Sequence, residues 1–124
     1  MEKMTAEELL RRYRAGERNF AGVNLSGASI SEVRLSKASL DGVNLSGANL
    51  SRLTLVDTFL PDANLDGANL EGANLGWANL DSASLRGANL DGVTLVHTNL
   101  SAANLDGAWQ RASSQYWYCK ILCS

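Results

Sequence analysis

Residues 63–72 read Ala63-Asn64-Leu65-Asp66-Gly67-Ala68-Asn69-Leu70-Glu71-Gly72, one five-residue phrase given twice. Its leucine recurs far beyond these ten residues. Phe20, Leu25, Ile30, Leu35 and Leu40 begin a series that continues with leucine at every fifth position to Leu105, eighteen positions without a gap. Two residues before most centres stands a second apolar residue, usually smaller, as at Val23, Ala28, Val33, Val43, Ala48, Leu53, Ala63 and Ala68. Between the two sits a polar residue, most often asparagine, as at Asn24, Asn44, Asn49, Asn64 and Asn69. Small, polar, large is the alternation of an extended chain: the outer two side chains turn inward and the asparagine turns out. The remaining two residues are typically Ser or Asp followed, in nine of eighteen units, by Gly. Glycine in that place suits a type II turn, which needs positive φ there. Each unit is therefore expected to form a short strand and a corner.

Strands that keep turning the same way make a coil, and coils stack because each exposes backbone donors and acceptors that the next one satisfies. Repeats of fixed period read as solenoids. The number of corners per coil follows from sorting the second corner residue. At a period of twenty, Gly27, Gly47, Gly67, Gly87 and Gly107 form one column, and Lys37, Asp57, Trp77 and His97 form another that has no glycine. A period of fifteen mixes the two. The inward small site sorts the same way: Ala28, Ala48, Ala68, Ala88 and Ala108 share one side, and Ala38, Thr58, Ala78 and Thr98 the opposite one. Four sides and twenty residues per coil predict about 4.5 coils and, at about 4.8 Å each, a shaft of roughly 20–25 Å. Its interior would be files of leucine, each worth on the order of 1.5–3 kcal/mol when buried. Thr58 and Thr98 turn hydroxyls inward, where a nearby backbone group can satisfy them.

These units resemble the pentapeptide-repeat family, whose phrase is Ala-(Asp/Asn)-Leu-X-X; Ala63–Gly67 and Ala68–Gly72 match it directly. The resemblance covers about ninety of the 124 residues. It implies an all-β solenoid, a right-handed quadrilateral parallel β-helix. The lead-in from Leu9 to Phe20 also looks like that of many cyanobacterial members, in which it forms a helix capping the first coil.

The first nineteen residues carry their own signals. Thr5 stands where an N-cap belongs, with Glu8 at the capping-box position. Leu9, Leu10 and Tyr13 follow at helical spacing, Arg11, Arg12 and Arg14 lie toward the positive-tolerant end, and Gly16 is a stop. So short a helix needs a surface to lie on, and the open end of the stack offers one. The alternative, a basic amphipathic helix on a membrane, has too small an apolar face for anchoring. At the other end the register stops after Leu105, and aromatics gather at Trp109, Tyr116, Trp117 and Tyr118. An uncovered last coil is a template for end-to-end pairing. Residues 109–124 are thus expected to be either a cap or an interface segment, the latter giving a homodimer through this end. The expected division is 1–19 helical cap, 20–108 repeat shaft and 109–124 aromatic segment.

Chemistry is hard to find. The chain has 124 residues, a formal net charge of -2 and a single histidine. It lacks the roughly eighteen-residue apolar run of a membrane span and an apolar signal-peptide core in the first twenty residues, so the expected location is cytoplasmic. No direct nucleic-acid or membrane binding is expected at this charge. Cys119 and Cys123 are four apart, wrongly placed on a helix for an unstrained disulfide and unsupported by a second metal-ligating pair, and read as reduced structural thiols. His97 stands at a corner with no nucleophile pattern near it. No cofactor, metal or catalytic residue is expected, because catalysis needs groups converging on a concavity and a leucine-filled rod has none.

One corner differs. Val56, Asp57, Trp77, Val96 and His97 line it and Phe59 points outward just beyond, a small apolar patch on an Asn/Asp/Ser surface and the candidate site for a protein partner. Some members of the resembled family imitate DNA and bind type II topoisomerases, a role requiring long acidic surfaces and a dimer. Between residues 20 and 108, nine acids less four bases leave -5. These charges do not fill one face, so the topoisomerase role is the alternative to a non-catalytic scaffold, with an enzyme a third class.

Overall fold

The computed structural model describes residues 3–111. Among these described residues there is one helix, α1, which spans Ala6–Arg14. Thr5 caps it, its Oγ1 accepting the Glu8 N–H at 3.1 Å. The Glu8 carboxylate pairs forward with Arg12 at 3.1 Å and Arg11 at 3.4 Å. The helix ends on Gly16 at φ +103°. There the Glu17 N–H donates to Arg12 and the Gly16 N–H to Tyr13, the paired bonds of a Schellman ending that only a left-handed residue closes.

From Asn19 to Trp109 the chain winds with a period of twenty. Asn24 bridges Asn44, Asn44 bridges Asn64 and Asn64 bridges Ser84, all parallel, and the other three sides repeat the pattern. The Leu25 N–H donates to Asn44 at 2.7 Å, and the Asn44 N–H donates to Val23 at 3.0 Å. Each side is paired through a single residue rather than along a strand of several. The five-residue unit explains this, because the corner uses most of it: the Val23 N–H donates to Phe20, the Ala28 N–H to Leu25, and so on along the shaft, Val33 excepted.

All second corner residues from 22 to 107 have positive φ, and the first corner residues do not. That is the type II pattern. Nine of those positions are not glycine, among them Trp77 at +63° and His97 at +57°. Side chains in the left-handed region cost on the order of 1 kcal/mol each, so these corners are held open by the ladder on either side. Pro61 fits the other corner place, whose φ proline already favours.

The interior is apolar as the spacing requires. Every centre from Phe20 to Leu90 is buried, and Leu95, Leu100 and Leu105 on the last described coil are partly so. Thr58 is the one buried polar residue among those described; its Oγ1 donates to the Leu55 carbonyl at 2.6 Å, and Thr98 donates to Leu75 at 2.7 Å.

The first coil has no coil beneath it, and the N-terminal segment supplies the missing donors. The Met4 N–H reaches the Asn24 carbonyl at 2.9 Å. The Lys3 ammonium reaches Ser26 and the Tyr13 hydroxyl reaches Ser36, at 3.2 and 2.7 Å. Leu9 and Met4 are buried in the same cluster as Phe20 and Leu25. Arg18 lies 3.7 Å over the Tyr13 ring and fixes it.

Outward asparagines are tied down rather than free. The Oδ1 of Asn24, Asn44, Asn64, Asn74, Asn79 and Asn89 accepts the N–H two residues on, at 2.9–3.0 Å, the Asx geometry that mimics a backbone turn. Exceptions show the rule. Where Ser84 replaces asparagine, the Arg86 N–H turns to the Asp66 carboxylate one coil below at 2.9 Å, and Ser84 donates there too. Where Trp109 does, the Arg111 N–H turns to Asp91 at 3.0 Å. Where Phe59 does, the residue two on is Pro61, which has no N–H. Asp41, the carboxylate one coil below Pro61, correspondingly has a buried Oδ1 with no partner. Asp66→Ala is therefore expected to cost about 1.5–3 kcal/mol in urea unfolding, as for a lost hydrogen bond to a charged group. Asp41→Ala is expected to be neutral or stabilising; an equal loss in both would contradict this assignment.

Candidate functional site

Corner residues stand twenty apart, so the fourth corner of each coil after Phe20 stacks Ser36-Lys37, Val56-Asp57, Gly76-Trp77 and Val96-His97 into one edge. The ladder there is intact: the Lys37, Asp57 and Trp77 N–H groups donate to Val56, Gly76 and Val96 at 3.3, 3.1 and 2.9 Å. The side chains that this ladder projects are the least polar on the shaft. Trp77 is 60%, Val96 55% and Phe59 47% exposed; Asp57 and His97 are exposed and Val56 is half-buried. The Trp77 and His97 rings stack with centroids 4.2 Å apart and planes at 27°. Vertical stacking of like positions creates this pair, since Trp77 and His97 are one coil apart.

Two features make the edge tight. Gly76 is buried, and a Cβ there would come within 3.2 Å of the Asn74 Oδ1, which accepts the Gly76 N–H. Phe59 sits beside Asn79 and Asn99 on the adjoining side, where the Asn99 amide donates to the Asn79 Oδ1 at 3.2 Å. The patch is thus an aromatic edge bordered by an amide ladder, on a backbone joined coil to coil through the Lys37, Asp57 and Trp77 N–H groups.

The six candidate residues Val56, Asp57, Phe59, Trp77, Val96 and His97 therefore share one edge. Trp109, 45% exposed, lies on another side, bridged to Asn89. Tyr116, Trp117, Tyr118, Cys119 and Cys123 lie outside the described residues. Among the described residues no group of three or more His, Cys, Asp or Glu is placed to hold a metal ion, and no helix is long and apolar enough to cross a membrane. An open groove beside α1 is lined by Thr5, Glu7, Glu8, Leu10, Arg11 and Arg14, far along the chain from the aromatic edge. The acids are spread around the shaft: Asp41, Asp62 and Asp81 on one corner, Asp66 and Asp106 on the next, Glu32, Glu71 and Asp91 on the third, Asp57 on the fourth. The capping role of the asparagines was readable in advance from Asn standing two residues before each first corner position.

A family model described as pentapeptide repeats matches residues 19–52, 44–81 and 78–109, in eight copies. Among solved structures, a pentapeptide-repeat protein of the Arabidopsis thaliana thylakoid lumen is 26% identical, covering 87% of this chain and 79% of its own, with a TM-score of 0.74. Rfr23, a pentapeptide-repeat protein from the cyanobacterium Cyanothece 51142, is 28% identical over 86% of this chain and 95% of its own, with a TM-score of 0.37. HetL, a pentapeptide-repeat protein involved in heterocyst differentiation regulation in the cyanobacterium Nostoc, is 28% identical over 85% and 79%, with a TM-score of 0.32. Of these three, the Arabidopsis protein is the one whose backbone superposes well. The sequence has no significant match among curated proteins.

Proposed function

This chain belongs to the pentapeptide-repeat family, and from that premise we propose that it is a rigid, non-catalytic scaffold that presents one aromatic edge to a protein partner. Pentapeptide-repeat proteins are generally structural repeat folds rather than enzymes. In this reading the shaft is a right-handed, four-sided β-helix of about four and a half coils. The segment 1–19 closes its first coil and residues 109–124 close, or pair, its last.

The observation that carries the proposal is the contrast between the edge and everything around it. The interior is filled with apolar side chains, and the asparagines are held by the turns they cap. Large apolar side chains that the fold does not use are concentrated at Phe59, Trp77 and Val96. Exposed aromatic residues on a rigid support are the usual anchors of protein interfaces, because little entropy is lost when they are covered.

Affinity capture from host lysate with Trp77→Ala, beside an Asn79→Ala control, tests this. Trp77→Ala is expected to lose at least tenfold of the captured partner, about 1.4 kcal/mol or more, as for a central interface aromatic. Equal recovery by both variants would discard the surface. The topoisomerase alternative requires one continuous acidic face, and the spread of acids over four corners weighs against it; inhibition of gyrase supercoiling at micromolar protein would revive it. A ligand that raised the melting temperature in a thermal-shift screen would reopen the enzyme reading.

A further inference from the structure

The aromatic edge is not purely apolar, and its one acid stands next to its largest ring. Trp77 stacks on His97 with one face. Its other face is turned toward the coil below, where the same corner position is Asp57. Among the described residues the Asp57 carboxylate has no ion pair and no side-chain hydrogen bond. The carboxylates of Asp66 and Asp91, by contrast, are engaged by backbone N–H groups.

We propose that the Asp57–Trp77 step binds a cationic side chain, an arginine in particular, on the protein segment that docks at this edge. The inference rests on the partner-surface reading above and names the chemistry of the partner. A guanidinium is flat enough to stack on the open face of an indole, and its remaining N–H groups can reach a carboxylate at the ring's edge. Val56 and Phe59 beside the step would cover the arginine's methylene stem or an adjacent apolar residue. The field of the shaft favours such a ligand, since residues 20–108 carry nine acids against four bases. Two groups on the same edge oppose it. Lys37 lies one coil below Asp57 and competes for its carboxylate, although no ion pair joins them. His97 stacks behind Trp77 and repels a cation when it is protonated.

The probe is a pair of peptides, Ac-Gly-Arg-Leu-Gly-NH2 and the same peptide with citrulline, which keeps arginine's shape and loses its charge. Each is titrated into the full chain while the Trp77 indole N–H is followed by NMR, assigned by its loss in Trp77→Phe. The arginine peptide is expected to shift that signal saturably and to bind about tenfold more tightly than the citrulline peptide. Asp57→Asn is expected to erase that difference, and Lys37→Ala to strengthen arginine binding about twofold to threefold. Equal binding of the two peptides, or a preference unchanged by Asp57→Asn, overturns the cation proposal while leaving the aromatic docking surface standing. No shift with either peptide also overturns it. The docking surface itself falls only if Trp77→Ala leaves partner capture unchanged.

Discussion

Leu65→Ala is expected to cost about 3–5 kcal/mol, measured by equilibrium urea unfolding. Leu65 is fully buried and lies in a file with Leu45 and Leu85, both buried. Removing its isobutyl group loses the transfer free energy of the deleted carbons and leaves a cavity whose cost depends on how far the surroundings can close. Here they can close little. The wall is a backbone ladder in which the Leu45 N–H donates to Asn64 and the Leu65 N–H to Ser84, each at 2.7 Å. Moving that wall inward would break bonds on both adjoining coils, so the upper part of the usual range applies. Leu105→Ala, on the partly buried last described coil, is expected to cost less than about 2 kcal/mol. Equal losses at the two sites would mean that the files do not bear the stability.

The second large effect lies at the other end. Leu9→Asp is expected to destabilise the protein by about 3–5 kcal/mol and to produce a concentration-dependent larger species on size-exclusion chromatography. Leu9 is 0% exposed, so an aspartate there either buries an unpaired charge or pushes α1 off the coil. Detachment would strip the Ser36 and Asn24 carbonyls of the donors from Tyr13 and Met4, leaving an open edge of the kind that pairs with other chains. Tyr13→Phe, which removes only the hydroxyl, is expected to cost about 1 kcal/mol and to leave the elution unchanged. A Leu9→Asp protein as stable as the parent would show that α1 does not close the shaft.

The period of the coil was legible because it depends on side-chain size. Leucine fits the narrow interior at every centre, and the all-glycine column from Gly27 to Gly107 repeats at twenty. Thr58 and Thr98 were legible for the same reason, since their positions fall inward. Less legible was what each corner tolerates. Trp77, His97, Lys37 and Arg52 adopt the left-handed backbone usually left to glycine, and the N–H groups of Trp77, Lys37 and Arg52 are held there by carbonyls of the next coil. Nor did the spacing show that each side pairs through one residue, a result of the turn taking most of the unit. The exchange of capping between Asn and Asp depends on neighbours twenty residues away, so the roles of Asp66 and Asp91, and the orphaned oxygen of Asp41 beneath Pro61, emerge only once the coils are stacked. The aromatic edge was visible as a column of unusual residues; the stacking of Trp77 on His97 and the unpaired state of Asp57 were not.

The most direct test of the winding is the scalar coupling that crosses a hydrogen bond. In a uniformly labelled sample, the Leu45 amide nitrogen should couple to the carbonyl carbon of Asn64, nineteen residues ahead, because its N–H donates there at 2.7 Å. Coupling to the carbonyl of Phe59 instead would mean a three-sided coil of fifteen residues, and coupling to no carbonyl of a neighbouring coil would mean that the chain does not stack at all.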